Sequence, residues 1–454
     1  MAKKLFGTDG VRGVANQEPM MVEMAVDLGR AVAHVVRERK HGKRPRVLIG
    51  KDTRLSGYML ENALVAGLCS MGADAILVGT LPTPAIAVLV RDQKADAGFV
   101  ISASHNPFED NGIKLFSADG FKLPDAEEAK IEGFLHDHEG LVRLLPRGGL
   151  IGKSFRVEDA LRRYIDFCKG TFPAEFDLKG VRIVLDCGNG ATYRAAPAVF
   201  NELGAHVTTL HCTPNGLNIN AHCGSQHTED LREQVVAERA DIGLAFDGDG
   251  DRLIVVDENG VELTGDHILC ICAKDLKSRK KLENNLAVAT VMSNFGLGLA
   301  MKKLKIDLGR SAVGDRYVLE MMQERGGIIG AEASGHMIFL EKHTTGDGIV
   351  SALQLLAVMR RTGKEISELA SVMEMFPQKL INVELAKKVP LEELPKTSAA
   401  IQAGEKELAD KGRILVRYSG TQNLCRVMVE GPTDEMTNRI CQSVADAVRE
   451  EIGA

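Results

Sequence analysis

Three stretches of this chain end in the same way, and that recurrence limits the fold more than any other feature. Ala95-Asp96-Ala97-Gly98 leads through Phe99-Val100-Ile101 to Ser104. Ala240-Asp241-Ile242-Gly243 leads to Asp247-Gly248-Asp249-Gly250-Asp251-Arg252, and Gly327-Ile328-Ile329-Gly330 to Glu332-Ala333-Ser334-Gly335-His336. Ahead of each ending lies an apolar run, a turn, a helical stretch and a second apolar run. Val47-Leu48-Ile49-Gly50 opens the first, Val181-Arg182-Ile183-Val184-Leu185-Asp186 the second, and Leu286-Ala287-Val288-Ala289-Thr290 the third and faintest. Strand, helix and strand in repetition imply parallel sheets with helices on their faces. Each repeat then presents one polar loop at an equivalent strand end, which is where open α/β sheets bind ligands.

A chain of 454 residues is too long for one hydrophobic core. Beyond residue 372 the repeat stops. There a hairpin-like pair, Arg413-Ile414-Leu415-Val416-Arg417 and Leu424-Cys425-Arg426-Val427-Met428-Val429, precedes a helix carrying Met436, Ile440, Val444 and Val448. The expected fold class is α/β: three related α/β domains with mixed or parallel sheets, and a smaller C-terminal α+β domain on a hinge, around a central cleft. The expected boundaries are 1–150 with the serine loop, 151–257 with the acidic loop, 258–372 with the Glu332–His336 loop, and 373–454.

Charge narrows the partners. With 56 basic and 62 acidic residues the formal net charge is −6, so neither nucleic acid nor an anionic membrane is expected. Any anion site must be a local cluster. No apolar run approaches the ~20 residues that span a bilayer, and Met1–Phe6 runs into Gly7-Thr8-Asp9-Gly10 without an apolar signal core. The nine cysteines are scattered, and Cys270 and Cys272 have neither zinc-ribbon nor redox-pair spacing. A reduced, cytoplasmic protein is expected.

The loops suggest chemistry. In Ser102-Ala103-Ser104-His105-Asn106-Pro107 small residues permit a sharp turn, and Pro107 blocks a regular continuation. A strand ending in such a turn aims one hydroxyl, that of Ser104, as a nucleophile would be aimed. Asp247, Asp249 and Asp251 alternate with glycines, so three hard carboxylates can converge on one divalent cation. A calcium loop is the rival: Glu258 stands twelfth from Asp247, but the sixth position is Arg252 where such a loop needs glycine. Mg2+ is favoured, because an open position can take a phosphate oxygen. Glu332 and Ser334 offer acceptors and a hydroxyl suited to sugar hydroxyls, and His336 a titratable ring. Arg417, Ser419, Gly420 and Thr421, with Arg426 nearby, suit a phosphate dianion. Lys114 is a candidate cation or proton carrier, and Arg12, among three glycines, is placed to approach an anion.

These motifs, in this order and across nearly the whole chain, resemble the α-D-phosphohexomutase superfamily. The serine loop is similar to Ser102–Pro107, the metal loop to Asp247–Arg252, the sugar loop to Glu332–His336 and the phosphate loop to Arg417–Thr421. The resemblance implies a phosphorylated Ser104, Mg2+ held by Asp247, Asp249 and Asp251 together with the Ser104 phosphate, and a hexosamine or hexose 1,6-bisphosphate as intermediate and activator. Catalytic roles are expected for Ser104, Lys114, Arg12 and His336, with His105 and Arg252 also at the site. Phe6–Gly13, Asn218-Ile219-Asn220, Cys223-Gly224-Ser225, Thr290-Val291-Met292-Ser293-Asn294 and Val313–Tyr317 resemble the branch that interconverts glucosamine 6-phosphate and glucosamine 1-phosphate for UDP-N-acetylglucosamine and cell-wall synthesis. The phosphate loop departs from the family pattern, with Gln422 where glutamate is usual. The expected partner is a small sugar phosphate, with a homodimer left open. A mutase for glucose or mannose phosphates, and a non-enzymatic sugar-phosphate or calcium-binding protein, are the alternatives.

Overall fold

The computed structural model describes residues 5–7, 10–419 and 423–454. They form two compact units: Met1–Val291 with Asp307–Ala370, and Met292–Ile306 with Ser371–Ala454.

The first unit holds three sheets built on one plan. In the first, the order is Val11–Val14, Asp110–Ser117, Ala97–Ile101, Arg46–Lys51, Asp74–Thr80 and Ser154–Arg156. In the second it is Glu262–Leu263, Leu253–Asp257, Ile242–Phe246, Arg182–Asp186 and His206–Leu210. In the third it is Asp307–Ser311, Leu286–Thr290, Ile329–Ala331 and Met337–Phe339. Each time a central strand is flanked on both sides by parallel neighbours. A last strand then folds back antiparallel on one of them. The polar loops of the sequence repeat are the three connections into those returning strands. The sheets run a few residues past the expected boundaries at 150 and 257, because Ser154–Arg156 pairs with the first and Glu262–Leu263 with the second.

The strands read as unbroken apolar runs because helices cover both faces. Ala97–Ile101 and Ile242–Phe246 are buried at every position. The helix Val22–Arg39 turns Ala25, Leu28, Val32 and Val36 inward at helical spacing. It crosses Ser56–Ser70 where both helices carry glycine: a Cβ on Gly67 would lie 2.1 Å from the Val26 carbonyl oxygen, and one on Gly29 2.8 Å from that of Leu64.

The second unit is a three-stranded antiparallel sheet, Gln378–Glu384, Leu424–Glu430 and Arg413–Tyr418. The helices Pro395–Leu408 and Asp434–Ile452 complete it, and Val427, Val429, Ile440, Val444 and Val448 lie in its core. It also claims Phe295–Leu304, the helix that crosses over in the third repeat. The Asn294 side chain bonds the backbone N–H and carbonyl of Phe376, and the rings of Phe295 and Phe376 meet edge to face at 5.2 Å. None of the described helices is long and apolar enough to cross a membrane.

Candidate active site

The strand Ala97–Ile101 delivers the chain to Ser104, whose φ of 54° is one that side-chain-bearing residues rarely adopt. Such a conformation costs about 1–3 kcal/mol and persists only where its surroundings enforce it. Here they do. The Ser104 N–H donates to the Ser102 hydroxyl at 2.9 Å. The Arg54 guanidinium, fully buried, donates to the carbonyls of Ser104 (3.1 Å) and Asn106 (2.5 Å). The Asn220 amide donates to the same two carbonyls at 2.9 and 3.0 Å. Asp52 neutralises Arg54, and burial pushes the Asp52 carboxyl above its usual range despite that partner. The clamped turn sends the Ser104 hydroxyl to Asp247 Oδ2 at 2.6 Å, with His105 Nδ1 3.2 Å away.

Asp247, Asp249 and Asp251 are all buried and each offers an oxygen within 4.8 Å of the other two. Glycine between them is a requirement of space. A Cβ on Gly248 would lie 2.7 Å from the Ser104 carbonyl oxygen, and Gly250 has a φ of 72° with Thr192 against it. The loop backbone is tied from outside: Ala191 N–H donates to Gly248 O, Thr83 N–H to Asp249 O and Gly348 N–H to Gly250 O. Asp249 Oδ2 accepts from Thr83 Oγ1 (2.5 Å) and Lys114 Nζ (2.9 Å). Lys114 also stands 3.7 Å from Asp251.

Burial, with Asp251 and Asp249 alongside, pushes the Asp247 carboxyl well above the usual range. Burial also works against the charge on Asp251, but Lys114, His336 and Arg252 outweigh it and hold that carboxyl below the usual range. The remaining oxygens, Oδ1 of Asp249 and of Asp251, are buried without a hydrogen-bond partner. Crowded carboxylates with orphaned oxygens are what a hard divalent cation requires, so the residues fit Mg2+. The calcium-loop alternative loses its twelfth ligand, because Glu258 accepts from the Ser367 hydroxyl and N–H.

The third loop joins the second directly. Leu253 N–H donates to Gly335 O at 3.0 Å, and Arg252 pairs with His336 as an isolated bridge. His336 is buried, with Nδ1 3.5 Å from Asp251 and Nε2 3.5 Å from Asp315. Burial opposes its protonation, yet Asp251, Asp315 and Glu332 push it up to about 9. Gly346 makes room for the ring: a Cβ there would meet Nε2 at 2.3 Å. Glu332 accepts from Gly314 N–H and is pushed up by burial, while Ser334 is exposed. Arg12 belongs to an edge strand, not a loop, opposite Gly112. Burial, then Arg252 and Arg12, lowers the His105 ring to about 4.

In the second unit the strand register sets Arg417 directly across from Arg426. The Nε atoms of both are buried without a hydrogen-bond partner, and Ser419 O accepts from Lys388. Gly420 and Thr421, also expected at the phosphate site, lie outside the described residues.

Sequence reasoning did not assign roles to Arg54, Asn220, Thr83 or Asp315. Arg54 is visible as a charge just after the apolar run Val47–Gly50, and Asn220 only as part of the motif Asn218-Ile219-Asn220. Neither position reveals that it reaches the carbonyls of the serine loop.

Four family models, all described as phosphoglucomutase/phosphomannomutase, match in sequence: alpha/beta/alpha domain I over residues 3–140, domain II over 162–260, domain III over 264–376, and the C-terminal domain over 380–447. A phosphoglucosamine mutase of Syntrophus aciditrophicus is 58% identical over 450 residues, covering 99% of this chain and 100% of that one. One of Syntrophobacter fumaroxidans is 56% identical over 449 residues, 99% of each. A phosphoglucomutase/phosphomannomutase family protein from Burkholderia thailandensis has a TM-score of 0.80 at 23% identity, over 100% of both chains. The N-acetylphosphoglucosamine mutase of Aspergillus fumigatus, solved with GlcNAc-6P and magnesium, has a TM-score of 0.66 at 17% identity over 98% of this chain and 95% of that one. At those identities the two structures speak to the fold.

Proposed function

The chain belongs to the phosphoglucomutase/phosphomannomutase family, and from that footing we propose that it interconverts glucosamine 6-phosphate and glucosamine 1-phosphate with Ser104 as phosphoryl carrier. The observation that carries the reading is the Ser104 hydroxyl held 2.6 Å from Asp247, inside a triad of buried carboxylates. The near full-length identity to phosphoglucosamine mutases supports the choice of sugar.

Phosphoryl transfer needs positioning and charge neutralisation more than covalent help. Asp247, Asp249 and Asp251 would hold Mg2+, which when bound supplies Lewis-acid neutralisation of the phosphoryl oxygens. The chain itself supplies the rest. Arg54 and Asn220 fix the Ser104 backbone, so the serine oxygen has one direction. Lys114, Arg252 and His336 ring the carboxylates with positive charge. A free hydroxyl of the sugar phosphate attacks phosphorus, the bond from phosphorus to Ser104 Oγ breaks, and a 1,6-bisphosphate forms. After it turns over, the Ser104 oxygen attacks the other phosphate, which restores phosphoserine and releases the isomeric product. Glu332 and Ser334 are assigned to the sugar hydroxyls, and Arg417, Ser419 and Arg426 to a phosphate dianion. A hexose 1,6-bisphosphate would activate unphosphorylated enzyme by the reverse of the first transfer. The cytoplasm, where sugar phosphates are made and used, is the compartment that suits this reaction.

The test is formation of glucosamine 1-phosphate with and without added hexose 1,6-bisphosphate, alongside kcat/KM for glucose and mannose phosphates. Activity that needs the bisphosphate and favours glucosamine phosphate is expected. Higher kcat/KM for another hexose phosphate would overturn the sugar assignment, and no turnover on any of them would overturn the enzyme.

A further inference from the structure

A second set of ligand-type side chains converges at the end of the second sheet. Asp186, His211 and Cys223 each offer one donor atom, and the three atoms lie within 4.8 Å of one another. The parallel pairing of Asp186 with Leu210 brings the first two together, and Cys223 arrives on the loop that precedes Gly224–Gln226. Asp186 and Cys223 are buried, and His211 is half-buried. The His211 backbone lies in the left-handed region, with a φ of 45°.

The hydrogen bonds around this cluster leave a gap. Asp186 Oδ1 accepts from Gly188 N–H and Oδ2 from Gly224 N–H, each at 2.8 Å, so each oxygen keeps a lone pair. His211 Nδ1 stands 3.1 Å from Asp186 Oδ2, yet it is buried and makes no hydrogen bond; the distance suits one and the direction does not. On the other side of the ring, Nε2 is 3.2 Å from Asp230 Oδ2. A carboxylate on each side of the ring calls for a positive charge there, which either a metal ion at Nδ1 or a second proton on the imidazole supplies. A carboxylate behind a histidine in this way is the usual support for a metal-ligating imidazole. The Asn189 amide reaches toward Cys223 Sγ, 3.9 Å away.

We propose that Asp186, His211 and Cys223 bind a borderline-soft divalent cation, with Zn2+ the best match and a fourth position open to water. One oxygen, one nitrogen and one sulfur donor suit zinc and not the hard ions Mg2+ or Ca2+. Tetrahedral zinc sets such donors about 3.3–3.8 Å apart, so the cluster closes with small side-chain movements. The site would tie the Asp186–Asn189 turn to the 220–224 loop. That loop carries Asn220, whose N–H donates to Gly188 O at 2.9 Å and whose side chain holds the Ser104 carbonyl. The cation is therefore assigned to steadying the serine loop from below and not to the transfer itself.

The experiment uses full-length protein, stripped with a chelator, dialysed, and titrated with Co2+. Thiolate ligation gives a near-ultraviolet charge-transfer band that the all-oxygen Asp247–Asp251 triad cannot give, so the two sites are read separately. The band is expected in wild type, displaced by Zn2+, lost in Cys223→Ser, and kept in Asp249→Asn and Cys212→Ser. Asp230 is exposed, so Asp230→Asn should fold and weaken Co2+ binding about 10- to 100-fold. As a check that needs no variant, Zn2+ should slow alkylation of Cys223 in peptide mass mapping. No charge-transfer band in wild type, or a band that survives Cys223→Ser, overturns the proposal. The first outcome would leave His211 as a protonated bridge between Asp186 and Asp230.

Discussion

The Ser104 hydroxyl donates to Asp247 Oδ2 at 2.6 Å although the two residues are 143 positions apart in the chain. The contact joins the loops of two different repeats, each at the end of the third strand of its unit. A serine so placed needs no base in its own loop to be positioned, because its direction comes from the clamp on its carbonyl and from the carboxylate it faces.

Ser104→Ala therefore removes the carrier without disturbing the clamp, which grips backbone. Turnover should fall by at least ~10³-fold, as for loss of other enzymic nucleophiles. Intact mass should show no protein phosphate. Full activity in this variant rules out the phosphoserine route.

The acidic triad gives a second test. Asp249→Asn keeps the shape and hydrogen bonding of the side chain to Thr83 but removes one charge from the cation site. Lewis-acid neutralisation is worth several kcal/mol in such transfers, so kcat should drop about 100-fold and the Mg2+ concentration for half-activation should rise. An unchanged wild-type rate in excess EDTA would dispose of the metal assignment.

The repeats and their loops were legible because apolar period, glycine and turn residues are local signals. Asp247-Gly248-Asp249-Gly250-Asp251 declares a cation site by its own spacing. Arg54 and Asn220 declare nothing of the kind, since their worth lies in reaching the carbonyls of Ser104 and Asn106 from remote segments. The glycines around Arg12 suggest a loop. The same glycines let a strand pair closely instead, for a Cβ on Gly10 would meet the Ile113 carbonyl oxygen at 2.3 Å. The placement of Phe295–Leu304 in the second unit rests on Phe376 and Glu430, far along the chain.

Arg54 offers a prediction about stability. It is fully buried against Asp52, and removing one partner of such a pair strands the other. Arg54→Met should lower unfolding free energy by about 3–5 kcal/mol, read as a lower urea midpoint. The double variant Asp52→Asn with Arg54→Met should recover part of that loss. If the single and double variants are equally unstable, the clamp on the carbonyls, not the ion pair, dominates.

His343 predicts a pH dependence. Its Nε2 donates to the Pro84 carbonyl at 3.0 Å and its Nδ1 accepts from Thr344 N–H at 2.7 Å, so the buried ring is neutral. Burial pushes it down to about 4, against roughly 6.5 in an unfolded chain. Between those values the unfolded state binds the extra proton, so stability is complete above about pH 6.5 and is lost as pH falls toward 4, by roughly 3 kcal/mol at most. His343→Asn should flatten that part of the stability–pH curve measured by urea unfolding. An unchanged slope between pH 6.5 and 4 would show that His267, which burial also lowers to about 4, dominates instead.

Arg417 and Arg426 face each other across neighbouring strands, and like charges in that position are destabilising. Burial, and then Arg426, lowers the Arg417 guanidinium from its ordinary value. Two crowded cations with orphaned Nε atoms form a site that an anion would relieve, and a phosphate dianion matches both forks. Arg417→Ala should therefore raise KM for the sugar phosphate about 10- to 100-fold, the worth of a charged hydrogen-bonding group. The Mg2+ concentration for half-activation should not move, because a guanidinium is not a metal ligand. Inorganic phosphate should raise the wild-type melting temperature and do so less in the variant, while the variant without phosphate should be no less stable, having lost a repulsion. The three measurements are KM, Mg2+ dependence and melting temperature with and without phosphate. A KM that stays put while Mg2+ dependence shifts would reassign this strand pair from phosphate binding to support of the metal.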